Sequence, residues 1–229
     1  MGRPVIAIDG PAGSGKSTLA RSIARILHLP YVNTGSMYRA VTLEGLRRGL
    51  DLDDGNALAE AARRIRFELG SSGDVEALLI DGAEPAAELA SAEVERHVSG
   101  VSAHPQVRRV LRREQRRLGR DGAVMEGRDI GSVVFPDAAV KLYLKASPAE
   151  RAARRVRERT EGSGGAAQAR GTGSDALARA LAERDERDER VNPFVPPAGA
   201  VALDTEGKDP QVVLEEAIAL IRTRLEGPA

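Results

Sequence analysis

The sequence predicts a three-layer α/β protein, a parallel sheet with helices on both faces, interrupted by a partly antiparallel insertion. Three observations carry that prediction. Pro4 to Asp9 is a nearly unbroken apolar run, the pattern of a strand buried on both faces. A glycine-rich turn follows it and leads into Leu19, Ala20, Ile23, Ile26 and Leu27 at helical spacing. Strand-like and helix-like segments then alternate toward the C-terminus, which implies parallel strands joined through helices.

After the first strand–loop–helix unit, amphipathic helices are expected at about 36–48 and 55–66, the second with Leu58, Ala61, Ala62 and Ile65 on one face. Arg66 to Leu69 and Val75 to Ile80 read as short strands joined by Gly70, Ser71, Ser72 and Gly73, a hairpin that breaks the alternation. A helix over about 105–119, a strand at Ala123 to Glu126 and another at Ala139 to Leu144 resume it. Ser147, Pro148 and Glu150 supply an N-cap, a first-turn proline and an acid at the third position for the next helix. That helix runs into 160–174, rich in Gly, Ala and Ser and expected to be a flexible loop. A charged helix at 175–190, a strand at Val201 to Leu203 and a final helix from Asp209 and Pro210, with Leu214, Ile218, Ile221 and Leu225 facing the core, complete the chain.

Gly10, Pro11, Ala12, Gly13, Ser14, Gly15, Lys16 and Ser17, followed by Thr18, match G-x-x-x-x-G-K-[ST] between a buried strand and an amphipathic helix. The glycines let the backbone curl so that successive N–H groups point inward at phosphate oxygens. Lys16 can reach β- and γ-phosphates, the Ser17 hydroxyl can ligate Mg²⁺, and the helix that follows aims its positive end at the same anion. The phosphates of a nucleotide, with Mg²⁺, are therefore the expected ligands of this loop, and the pattern alone does not say what reaction follows. Asp9, at the strand end, either orients Mg²⁺-bound water or hydrogen-bonds the loop.

Glu126, Gly127, Arg128 and Asp129 place an arginine and an acid at the carboxyl end of a sheet strand, where open α/β sheets bind ligands. Thr34 to Arg39 opens the next helix, with Tyr38 and Arg39 suited to a second phosphate or a base. Arg108, Arg109, Arg112, Arg113, Arg116, Arg117 and Arg120 lie on one helix with Glu114 as their only acid. Such a row is commonly solvated; Arg108, nearest the helix start, is the member expected in a pocket.

The segments IDGPAGSGKST at 8–18, TGSMYR at 34–39, Ser99 to Arg117, EGRDIGSVVFPDA at 126–138 and ASPAERAARR at 146–155 together resemble bacterial cytidylate kinases over essentially the whole chain. The resemblance implies a P-loop kinase core (about 1–60, 100–155 and 190–229), a monophosphate-binding insert (about 61–99) and a mobile lid (about 156–189). It implies that Ser99, Arg108 and Asp129 read cytosine, that Arg39 and Arg128 hold the acceptor phosphate beside Tyr38, and that Thr34 donates to it. Arg184, Asp188 and Arg190 resemble the second arginine cluster and the ribose-binding acid, with Arg187 a competitor of Arg190 because the spacing to Pro193 is shorter than the family's. The implied catalytic set is Lys16, Arg128, Asp129, Arg184 and Asp188, assisted by lid-base arginines among Arg151, Arg154, Arg155, Arg157 and Arg159.

Composition sets outer limits. The 229 residues carry 34 basic and 34 acidic side chains, which argues against a whole-domain nucleic-acid footprint. With no cysteine, disulfides and thiolate metal sites are excluded. No apolar run approaches the ~18 residues of a membrane helix, and no secretory segment follows Met1. A cytoplasmic monomer acting on small molecules is expected, with no nucleic acid and no membrane as partner. Kinases of UMP, AMP or a metabolite such as shikimate, and an ATP-binding nucleic-acid module, remain as alternatives.

Overall fold

A computed structural model describes residues 2–162, 189 and 195–226. Its elements are β1 (Val5–Asp9), α1 (Lys16–Leu27), β2 (Tyr31–Asn33), α2 (Thr34–Arg47), α3 (Gly55–Arg64), β3 (Phe67–Ser72), β4 (Val75–Ile80), α4 (Ala92–Ala103), α5 (Pro105–Gly119), β5 (Ala123–Gly127), β6 (Val140–Lys145), α6 (Pro148–Gly162), β7 (Val201–Asp204) and α7 (Pro210–Glu226). The strands form one sheet in the order β3-β4-β2-β5-β1-β6-β7. All neighbouring pairs are parallel except β3 with β4.

Burial follows the alternation of side chains along β1. Ile6 and Ile8 enter a core with Leu19, Ile23 and Ile221 from α1 and α7, whereas Ala7 faces Met37, Leu58, Leu111 and Met125 on the other side. Both faces are thus covered, as the apolar run required. The chain moves from β1 to one side of the sheet and later from β5 across to β6 on the other. This switch opens a crevice beyond the carboxyl ends of β1 and β5.

Three expectations are corrected. The hairpin extends the main sheet, β4 pairing with β2 through Tyr31 and Ala77, and its turn is only Gly73-Asp74. Gly70 lies within β3, where the backbone passes so close to the Leu79 side chain that a β-carbon would meet it at 2.4 Å. Ile26 and Leu225 are exposed near the C-terminal ends of their helices, and Val213 and Ala217 take the buried positions of α7 beside Ile218 and Ile221. The arginine row of α5 is not simply solvated: Arg116 donates to the Val134 and Val133 carbonyls, both at 2.9 Å, and so ties α5 to the turn after β5. No helix among the described residues is long and apolar enough to cross a membrane.

Candidate active site

The phosphate loop joins β1 to α1. Gly10 passes so close to β6 that a β-carbon would sit 2.6 Å from the Leu144 carbonyl oxygen, and Gly15 turns with φ +88° directly before the helix. No side chain caps α1, so its first-turn N–H groups face the crevice uncapped. Lys16 Nζ donates to the Pro11 carbonyl at 2.7 Å. Burial, followed by the nearby Arg128 charge, lowers the Lys16 ammonium to about 7. Glu126 lies near enough to oppose that shift, and so does Asp9.

One cleft of about 280 Å³ gathers Gly13, Lys16 and Ser17 with Tyr38, Arg39, Ser99, Arg108, Arg128 and Asp129. α5 begins at Pro105 and brings Arg108 to the mouth of β5, where Nη2 donates to Asp129 Oδ2 at 2.6 Å; both side chains are largely buried. Arg39, one turn into α2, donates from Nε and Nη2 to Glu95 Oε1 on α4 at 3.1 and 2.6 Å. Arg128 donates to the Gly10 carbonyl at 3.2 Å. Tyr38 lines the cleft between these groups and is half-buried; desolvation pushes its phenol above the usual range, and its hydroxyl bonds Gln115. Every described residue expected to meet the acceptor therefore lines the same crevice, and Arg39, Arg108, Arg128 and Tyr38 are each held by a partner from the protein itself.

Several assignments gain detail. Thr34 lines the cleft, but its hydroxyl donates to the Glu126 carbonyl at 2.7 Å, stitching β2 to β5. Asp9 does not bond its own loop: its two oxygens accept the N–H groups of Ile130 and Gly131, each at 2.8 Å. Burial outweighs these bonds and pushes its carboxyl up to about 6. Among the lid-base arginines, Arg155 lines the main cleft. Arg151 is buried and donates to the Ala12 and Ala146 carbonyls at 3.1 and 3.2 Å, while Arg154 grips Glu150 and Thr205. Arg157 is exposed beside Glu150, and the Arg159 side chain lies outside the described residues. Arg184, Arg187, Asp188 and Arg190 also lie outside them.

A second cavity of about 740 Å³ opens on the far side of the phosphate loop, lined by Thr18, Leu144, Arg154, Thr205, Lys208 and Val213 among others. Gly15 and Thr18 border both cavities, so the loop stands between two subsites. Glu126 was missed as a site residue in the sequence. It is buried at the carboxyl end of β5, lines the main cleft, and accepts the Tyr31 hydroxyl on Oε1 at 2.6 Å. The only sequence signal was an acid ending an apolar strand opposite the phosphate loop.

A phosphate cradle at the switch point of a parallel sheet, with an arginine-lined subsite on one side and an open cavity on the other, is the arrangement of a P-loop kinase. Comparison of sequences makes the class particular. The family pattern described as Cytidylate kinase matches residues 6–223, and the chain belongs to that family. The cytidylate kinases of Desulforamulus reducens and Limosilactobacillus fermentum are 41% and 40% identical, each over 96% of this chain and 96% and 95% of their own lengths. A bifunctional pantoate ligase/cytidylate kinase of Synechococcus sp. (strain JA-2-3B'a(2-13)) is 43% identical over 99% of this chain, which spans only 42% of that relative. Among solved structures, an uncharacterized protein from Eubacterium ventriosum shares the fold at a TM-score of 0.51 and 11% identity, covering 96% of this chain and 99% of its own.

Proposed function

We propose that the chain transfers the γ-phosphoryl group of ATP to the phosphate of CMP or dCMP, giving ADP and CDP or dCDP. The observation that supports this most is the Arg108–Asp129 pair at 2.6 Å within the cleft shared with the phosphate loop. It sets a carboxylate acceptor beside a guanidinium donor, the complement of the cytosine amino group and its O2 and N3. Uracil carries an acceptor in place of that amino group and would leave the buried carboxylate unmatched.

No protein nucleophile is required; positioning and charge neutralisation suffice for in-line phosphoryl transfer. In this reading Arg39 and Arg128 release Glu95 and the Gly10 carbonyl to take the acceptor phosphate. Lys16 leaves the Pro11 carbonyl for the donor phosphates, and Arg155 approaches the transferred group from α6. The second cavity accepts the donor base, with Arg154 and Thr205 at its wall. Mg²⁺ fits the oxygen donors on hand, the Ser17 hydroxyl and the buried Glu126 carboxylate beside it, since this ion takes one or two carboxylates together with substrate phosphates. When bound it neutralises charge on the donor phosphates.

Residues of about 61–99 then serve as the monophosphate-binding insert and about 156–189 as a lid that excludes water and carries Arg184 and Asp188. The enzyme acts as a cytoplasmic monomer. The decisive assay is Mg²⁺-dependent ADP release with CMP, dCMP, UMP, AMP, GMP and shikimate as separate acceptors. Turnover with CMP and dCMP well above the others is expected; equal turnover with AMP or shikimate, or none at all, overturns the assignment.

A further inference from the structure

Asp9 ends β1 immediately before the phosphate loop and is fully buried. Its Oδ1 accepts the Ile130 N–H and its Oδ2 the Gly131 N–H, both at 2.8 Å. These two amides directly follow Asp129 and open the turn that a bond from Phe135 N–H to the Ile130 carbonyl closes at 2.7 Å. The fit has little slack: a β-carbon on Gly131 would lie 3.3 Å from Asp9 Oδ2 and 3.2 Å from the Lys141 side chain. On the near side of Asp129, Arg128 donates to the Gly10 carbonyl at 3.2 Å. The Arg128–Asp129 pair is thus bracketed by ties to residues 9 and 10.

We propose that Asp9 is a positioning residue for acceptor recognition: by holding the two amides after Asp129 it fixes that carboxylate against Arg108, so that phosphate loop and base-reading turn form one rigid piece. The inference rests on the functional reading above, and it assigns Asp9 to the acceptor side rather than to Mg²⁺. Both carboxylate oxygens are engaged by charge-assisted bonds to the backbone. An asparagine in its place offers one acceptor oxygen and turns an NH₂ group toward the second N–H, so one tie is lost and two donors face each other.

The test compares the wild type with Asp9→Asn. KM and kcat are measured for CMP and UMP at saturating ATP, and for ATP and Mg²⁺ at saturating CMP. ATP affinity without acceptor reports whether the phosphate loop is intact. The expected result is a rise of about tenfold in KM for CMP and a comparable narrowing of the CMP-to-UMP preference, the size of one lost charge-assisted hydrogen bond. ATP affinity and Mg²⁺ dependence should stay within about threefold, below what such a bond contributes. In an Asp129→Ala background the second substitution should narrow the preference no further, since both act through one group.

A shift confined to ATP or Mg²⁺, an unchanged CMP-to-UMP ratio, or additive effects of the two substitutions would overturn the inference. If Asp9→Asn does not fold, Gly131→Ala keeps Asp9 but presses the turn away from it and should move the CMP parameters the same way; an unchanged ratio there overturns it equally. A wild type inert toward CMP defeats the functional reading and this inference with it, whereas with a wild type active on CMP the variants bear on Asp9 alone.

Discussion

Asp129 and Arg108 form an ion pair whose members are each only about an eighth exposed. Replacing Asp129 by Asn keeps the shape but removes the charge that Arg108 faces and supplies a donor that uracil can use. The expected outcome is a loss of about 10- to 100-fold in kcat/KM for CMP, with UMP losing less, so that the ratio of the two collapses. Parallel assays of both acceptors at saturating ATP check it.

Asp9 also bears on stability. Its carboxyl is pushed by burial to about 6 from an ordinary 3.8, with Asp129 raising it further and the Gly131 and Ile130 amides and Lys16 opposing. Between about pH 4 and 6 the folded protein therefore holds a proton that the unfolded chain has released. The contribution of this group is largest below pH 4 and is lost as the pH rises through 6. Urea unfolding of metal-free wild type and Asp9→Asn across this window should show the wild type losing about 2–3 kcal/mol relative to the variant. A pH-independent difference contradicts the raised value.

At the scale of elements, the cavity proposed for the donor rests on a joint between β7 and α6. Thr205 N–H donates to the Lys145 carbonyl at 2.9 Å and its Oγ1 accepts from Arg154 at 3.0 Å, with the Ser14 carbonyl of the phosphate loop 3.3 Å away. Thr205→Val preserves shape and removes the polar junction, so KM for ATP should rise about five- to twentyfold while KM for CMP stays nearly constant. Steady-state kinetics with each substrate varied in turn separate the two.

Elements also show what the sequence made legible. β1, the phosphate loop, α5 over 105–119 and the cap of α6, where Glu150 N–H donates to Ser147 Oγ at 3.2 Å, were readable because local chemistry dictates them. α4 over Ala92–Ala103 was not anticipated although Ser91 caps it and Val94, Val98 and Val101 recur at i, i+4 and i+7; the β-branched valines and Gly100 lower its intrinsic helix propensity. The ordering of Arg151, Arg154 and Arg155 was illegible for another reason. Which side of α6 faces the crevice depends on how that helix docks against Ala12 and Thr205, contacts far away in sequence. Glu126 and the true partners of Asp9 were hidden likewise, because an acid at a strand end has the same spelling whether it meets solvent, metal or backbone.

Across the whole molecule, the cleft draws on β5, α1, α2, α4 and α5 at once. A ligand seated there binds the folded state alone and should stabilise all of it together. CMP at about 100 times its Kd should contribute about 2.7 kcal/mol, or a Tm increase of roughly 5–10 °C for a chain of this size. Thermal melts with CMP, UMP and ATP check this, with UMP expected to shift Tm least at equal concentration.

Four cations of this crevice are already engaged: Arg39 by Glu95, Arg108 by Asp129, Arg128 and Lys16 by loop carbonyls. An incoming anion must therefore displace an internal partner at several points together. In the proposed reading a lone inorganic phosphate displaces the two ties of Arg39 and Arg128, whereas CMP displaces a third at Arg108 in the same event. A pocket built this way should discriminate by valency as well as by shape, so free phosphate is expected to compete only weakly with CMP.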